Sequence, residues 1–199
     1  MVERKYGKAR RVWVFDRGIV SEANLEALRQ GGGQYLVGTP RSKLREFEKA
    51  LLEDGWNLIR EEVEVKLVSL PTGTETYVLC RSTSRREKEK AIRRHFSQRL
   101  EQALGRLHQR VARGRLKDRT KIQQALASLR ARHPRVADLY QMGVVEREGT
   151  VQVEWQLMEE RGAWREAREG AYLLRTNLQG ESAEELWNGQ AVMRDPAAR

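Results

Sequence analysis

One cysteine, Cys80, stands in 199 residues. An internal disulfide is therefore impossible, and so is a cysteine-rich zinc site. Cys80 reads instead as a small core residue within Tyr77-Val78-Leu79-Cys80. Histidine is nearly as scarce. His95, His108 and His133 are the only three, and no two stand at the i, i+4 spacing that puts a pair of imidazoles on one helical face. No apolar run is long enough to span a membrane, and the N-terminus lacks the pattern of a signal peptide, so the default expectation is a cytoplasmic protein. A phosphate loop is missing too. Gly31-Gly32-Gly33 follows a helical stretch rather than opening one, and it lacks the Gly-Lys-Ser/Thr ending.

What the chain has in excess is positive charge. It carries 38 Lys+Arg against 28 Asp+Glu, a net +10, with 39% hydrophobic and 33% charged residues. That leaves room for a core, in one large domain or two small ones. A basic excess of this size points to a polyanionic partner, most simply nucleic acid; a ribosomal or membrane-surface protein has the same charge signature.

Val12-Trp13-Val14-Phe15 is an apolar run of strand formers stopped by Asp16-Arg17-Gly18. It reads as a buried strand of a parallel sheet. It follows the basic leader Met1 to Arg11 directly, and a strand so placed needs neighbours; this suggests that the start of a domain lies upstream. Asp16 sits at the carboxyl end of the strand, where open α/β sheets place their chemistry. The residues leave two readings open: an aspartate closing a turn, or a carboxylate held for a divalent metal. Ser21 is a plausible N-cap for a short helix over 21–30, which the glycine run ends. Tyr35-Leu36-Val37-Gly38 is a second buried strand. Strand, helix and strand in fewer than thirty residues make a βαβ unit with parallel strands.

From Leu44 to Leu52 the pattern is helical. After Trp56 it alternates, and residues 61–81 read as an antiparallel hairpin around the turn Pro71-Thr72-Gly73-Thr74. The cluster Glu61, Glu62 and Glu64 reads as a solvated strand end. Ile92, Phe96, Leu100, Leu104, Leu107 and Val111 then recur every three or four residues, predicting one long amphipathic helix with Ser84 and Glu87 as a capping box. Gly114 breaks it. A second helix, 117–132, carries Ile122, Leu126 and Leu129 and stops before Pro134. Residues 84–132 hold 16 Lys+Arg and four Asp+Glu. Like charges so dense on one hairpin repel unless an anion screens them, and Arg85, Arg86, Arg93, Arg94, Arg113 and Lys117 are the candidate backbone contacts. A hairpin over 143–158, a strand from Ala171 to Asn177 and a helix over 182–193, capped by Ser182 and Glu185, complete the chain. Trp13, Trp56 and Trp155 read as core; Trp164, among Arg161, Arg165 and Arg168, is placed to approach nucleic acid.

Val14-Phe15-Asp16-Arg17-Gly18, then Ser21 to Leu25 and Tyr35 to Gly38, resemble the middle of a bacterial insertion-sequence transposase of the DDE type. Gly170-Ala171-Tyr172-Leu173-Leu174-Arg175-Thr176-Asn177 and Glu185-Leu186-Trp187 continue the resemblance in the same order, over nearly the whole chain. The resemblance implies an α/β fold, α+β overall: a partial ribonuclease-H-like core interrupted by an insertion of β-hairpins and the helical hairpin. The expected division is 1–40 for the core, 41–165 for the insertion and 166–199 for the return to the core. It also implies a catalyst whose three carboxylates hold two Mg²⁺ or Mn²⁺ ions to cut and join DNA strands, and which works as a dimer on paired DNA ends. Asp16 matches the second catalytic aspartate and would be a metal ligand. The family's first aspartate lies on an earlier strand. Its glutamate belongs to a helical pattern that this sequence leaves after Asn188: Gln190 stands where tyrosine is expected, Met193 where leucine is, and Ala197 near the glutamate. Glu184 and Glu185 precede Trp187 and do not match it. One carboxylate of three holds Mg²⁺ poorly, so this chain is expected to be inactive alone. The other reading is a non-enzymatic basic nucleic-acid-binding module.

Overall fold

The computed structural model describes residues 12–15, 21–69, 75–147 and 149–194, with side chains as far as Gly189. Asp16, the leader 1–11, the turn Pro71 to Thr74 and the side chains of Gln190, Met193 and Ala197 lie outside the described residues. The fold mixes helices with a mixed sheet, and the chain divides into two compact units, residues 1–86 with 170–199, and residues 87–169.

The first unit is built on six strands. They are β1 (Val12–Phe15), β2 (Gln34–Gly38), β3 (Asn57–Arg60), β4 (Val63–Ser69), β5 (Thr76–Ser82) and β8 (Ala171–Thr176), in the spatial order β1-β2-β8-β5-β4-β3. β1 and β2 are parallel, as the βαβ pattern predicts, and every other pairing is antiparallel. Helix α1 (Glu22–Gln30) joins the parallel pair and is capped by the Ser21 hydroxyl, which accepts from the Asn24 N–H. On one face of the sheet, Tyr35 and Val37 pack with Leu25 of α1. On the other, Leu36, Val65, Val78 and Leu174 pack with Ala183, Leu186 and Trp187 of the C-terminal helix Ala183–Arg194. Each fully buried aliphatic side chain contributes about 1.5–3 kcal/mol to such a core.

Several local expectations shift. The helix expected over Leu44 to Leu52 is a 3₁₀ turn, Arg41–Phe47, running into α2 (Glu48–Leu52). Strand β3 has a single half-buried position, Ile59, and so no apolar alternation by which to read it. Trp13, expected in the core, is 47% exposed, since β1 is an edge strand among the described residues. The division also falls elsewhere than at 40/41 and 165/166. Strands β3, β4 and β5 belong to the sheet of β1, β2 and β8, because β5 pairs with β8 through six residues, Thr76 to Arg81. The periodicity change near Trp56 marks a new kind of element in the same unit.

The second unit consists of most of helix α3 (Thr83–Ala112), helix α4 (Arg119–Arg132), a ribbon of β6 (Tyr140–Arg147) and β7 (Thr150–Leu157), and helix α5 (Glu159–Ala167). Leu100, Leu104, Leu107 and Val111 of α3 meet Ile122, Leu126 and Leu129 of α4 and Tyr140, Met142 and Val153 of the ribbon. Asp118 caps α4 through the N–H groups of Thr120 and Lys121. At the start of α3 the hydroxyl that accepts a first-turn N–H, that of Arg85, is Ser82 and not Ser84. Ser182 and Glu185 do form the expected capping box of the final helix, α6 (Ala183–Arg194): Glu185 N donates to the Ser182 hydroxyl, and the Ser182 N–H donates to the Glu185 carboxylate.

Candidate nucleic-acid interface

Helix α3 separates its residues by angle. At about 100° per residue, Lys88, His95, Arg99, Arg106, Arg110 and Arg113 fall within an arc of about 60°. Arg113 lies just beyond the last helical residue, but its N–H still bonds the Gln109 carbonyl, so it keeps the helical register. The carboxylates of the helix, Glu87, Glu89 and Glu101, all project outside that arc. The row runs about 37 Å from Lys88 to Arg113 at 1.5 Å per residue. Its members are exposed, and Lys88, Arg99, Arg106, Arg110 and Arg113 make no ion pair among the described residues. The same holds for Arg94, Arg115 and Lys117, and for Lys121 of α4.

The two helices share this surface at one end. His133, the C-cap of α4, has its pKa held below the ordinary imidazole range, by burial first and then by the charges of Arg99 from α3 and Arg132 from α4. Two arginines bearing on one imidazole mark a site of positive potential. An anion bound there would relieve all three groups.

The six candidate side chains scatter over this geometry. Arg94, Arg113 and Lys117 are exposed in the helical unit. Arg93 is different: it falls on the line of Leu100 and Leu104, i+7 and i+11, and so on the core side. There its Nε donates to Glu169 at 2.6 Å, and Glu169 is only 4% exposed. That hydrogen bond holds the Arg93 charge firmly in place. Arg85 and Arg86 belong to the sheet unit, Arg85 lying 5.6 Å over the Tyr172 ring. Residue counting along the chain missed Lys88, Arg99, Arg106 and Arg110, although the signal is present: they recur at the helical period on the side away from the leucines. Ile92 was assigned to the apolar side but lies at the rim of the cationic arc and is 42% exposed. Trp164 is half-buried beneath Arg168. Arg161 and Arg165 are bound to Asp138, one at its carbonyl and one at its carboxylate, so the cations around this tryptophan brace the unit.

In the sheet unit several charges are bound to carboxylates. Arg175 of β8 donates to Glu75 at 2.7 Å and to Glu22, while Tyr35 donates its hydroxyl proton to Glu75. Burial opposes the Arg175 charge, but these two carboxylates outweigh it and raise its pKa. Burial, and then the Glu75 hydrogen bond, raise the pKa of Tyr35. Arg81 grips Glu64 with two nitrogens, so Glu64 is a bound partner and not a free strand end. The Thr176-Asn177 pair that ends β8 has a structural task. Thr176 donates to the Tyr35 carbonyl, and Asn177 accepts from the Tyr35 N–H and donates to the Gly33 carbonyl.

Among the described residues, no three His, Cys, Asp or Glu side chains converge to hold a metal ion, and no helix is long and apolar enough to cross a membrane. No family model, curated protein or solved structure matches the chain.

Proposed function

We propose that this chain is a DNA-binding portion of a DDE-type transposase, its sheet unit a partial ribonuclease-H-like core. The observation that carries the nucleic-acid part is the row of cations on α3, free of carboxylates and continued by α4 at His133. Cations in a row without internal partners gain most from a row of phosphates, by releasing the counterions of the nucleic acid. The parallel pair β1–β2 joined by α1, within a mixed sheet, supports the core reading. In the intact enzyme, Mg²⁺ or Mn²⁺ held by three carboxylates, Asp16 among them, would serve strand cleavage and transfer by a cytoplasmic dimer. This portion binds DNA without completing that chemistry. A basic nucleic-acid-binding module with no enzymatic ancestry draws on the same cationic row.

The test is fluorescence anisotropy of the full chain with a labelled 20-base-pair duplex. Six phosphate contacts predict an affinity loss of about 10³-fold between 50 and 200 mM salt. Absence of binding at 50 mM salt would remove the support for both readings. Asp16→Ala should leave this binding unchanged. If Mn²⁺ supports DNA nicking that Asp16→Ala abolishes, the chain is a catalyst in its own right.

A further inference from the structure

We infer that α3 and α4 together form one cationic groove, in which a phosphate backbone of duplex DNA lies without regard to base sequence. The inference rests on the nucleic-acid reading above and deepens it. It gives the site a second wall, on α4, and names the form of nucleic acid that fits.

Helix α4 repeats the arrangement of α3. At about 100° per residue, Lys121, Ala125, Ser128 and Arg132 fall within an arc of about 60°. Ile122, Leu126 and Leu129 take the core side, and residues 119–132 contain no Asp or Glu. Lys121, Ser128 and Arg132 are exposed, and neither cation pairs with a carboxylate among the described residues.

Two alanines show that the cationic stripes face each other. Ala103 lies within about 60° of Arg99, Arg106 and Arg110 on α3. Ala103 and Ala125 are both partly buried against the core that the two helices share. Each helix therefore turns the flank that bears these cations toward the other. The charges of Arg99 and Arg132 accordingly bear on one imidazole, that of His133. Helices come closer where the side chains between them are small. The seam is thus a shallow groove, floored by alanine and walled on both sides by cations. From Lys121 to Arg132 it is about 17 Å long.

The chemistry of the groove selects its occupant. The Ser128 hydroxyl donates to the Gln124 carbonyl at 2.9 Å, so it is engaged within the helix. Cations and methyl groups remain, and contacts from cations to phosphates carry no base information. A single strand is held largely by aromatic platforms on which its bases stack. Phe96, on the same flank of α3, is half-buried and lies 4.8 Å beneath Arg135. Duplex DNA presents one charge per roughly 1.7 Å of axis, against about 3.4 Å for one of its strands, so it offers these cations the denser field.

The experiment is fluorescence anisotropy of the full chain at low salt with labelled duplexes of unrelated sequence and a single strand of the same length. Duplex should bind at least about tenfold tighter than single strand, and the duplexes should agree within about threefold. Lys121→Gln/Arg132→Gln alters only exposed side chains; it should weaken duplex binding by about tenfold and lower the salt slope by roughly 2. Arg45→Gln/Lys49→Gln removes the same charge from exposed positions of the sheet unit and should stay within about twofold of the native chain. An α4 variant that behaves like this control, equal binding of single strand and duplex, or a strong preference among the duplexes would each overturn the inference, while the α3 row would still carry the nucleic-acid reading. Failure of the native chain to bind any of these probes would overturn that reading, and this inference with it.

Discussion

In the sheet unit Arg175 is gripped by Glu22 and Glu75, and Arg81 by Glu64; on α3 of the helical unit Arg99, Arg106 and Arg110 meet no carboxylate among the described residues. Each unit contains 19 Lys+Arg, against 16 Asp+Glu in the first and 12 in the second. The numbers of cations are equal, so the contrast comes from how many carboxylates each unit has and where they are placed. In the first unit they are brought to the arginines by the sheet, across 153 residues in the case of Glu22 and Arg175. In the second, Arg99, Arg106 and Arg110 share one helical face with no acid, while Arg93, Arg147 and Arg165 are paired elsewhere in the unit. Cations of the first kind hold the fold together, while those of the second kind raise its energy until an anion arrives.

The largest effect that would sharpen this contrast is on stability. Arg175 and Glu75 are 13% and 10% exposed. Arg175→Gln leaves Glu75 buried with only part of its counter-charge and should cost about 3 kcal/mol, with DNA affinity unchanged. Urea unfolding followed by circular dichroism measures the first, and anisotropy the second. Next comes the converse. Replacing Arg99, Arg106, Arg110 and Arg113 together by Gln should lower duplex affinity by about 100-fold at low salt and reduce the salt slope by roughly 3 to 4, while stability holds or rises slightly. If the quadruple variant unfolds instead, these arginines are structural and the contrast fails.

Two neighbours in α3 give a finer test within one unit. Arg93→Gln should destabilise by about 2–3 kcal/mol, because Glu169 is left buried and unpaired, while Arg94→Gln should change stability by less than about 0.5 kcal/mol. Equal effects would mean that the ion pair with Glu169 contributes nothing particular.

The smallest effect is a proton. The folded-state pKa of His133 is depressed, so its contribution to stability is fully present above the unfolded-state pKa, near 6.5, and is lost as pH falls below that toward and through the lower folded-state pKa. Phosphates placed beside Arg99 and Arg132 favour the imidazolium, so adding duplex should raise the His133 pKa in an NMR titration, and binding should tighten as pH falls from 7.5 to 6. A His133 resonance that titrates identically with and without duplex would place the nucleic acid elsewhere.

Much of this molecule was legible from local pattern. The parallel β1–β2 pair, the β4–β5 and β6–β7 hairpins, both helices of the basic hairpin and two of the three proposed caps follow from period, glycine and capping residues, which act over a few positions. Even the core-side placement of Arg93 was written in its spacing from Leu100 and Leu104. Other features had no local signal. Strand β3 carries no alternation and exists through pairing with β4. Trp13 looked like core because strand residues look alike whether or not a neighbour covers them; its exposure depends on β1 standing at an edge.

The amino-acid order alone thus determined the elements and concentrated the charge, since helical period and composition are local properties. Only the tertiary structure decided which charges are bound and which remain available. Pairing β5 with β8 carried Glu75 to Arg175 and bound that charge within the first unit. Packing α3 against α4 and the ribbon through its leucine side turned the opposite arginines outward, and chain contacts beyond a few residues are what set both outcomes.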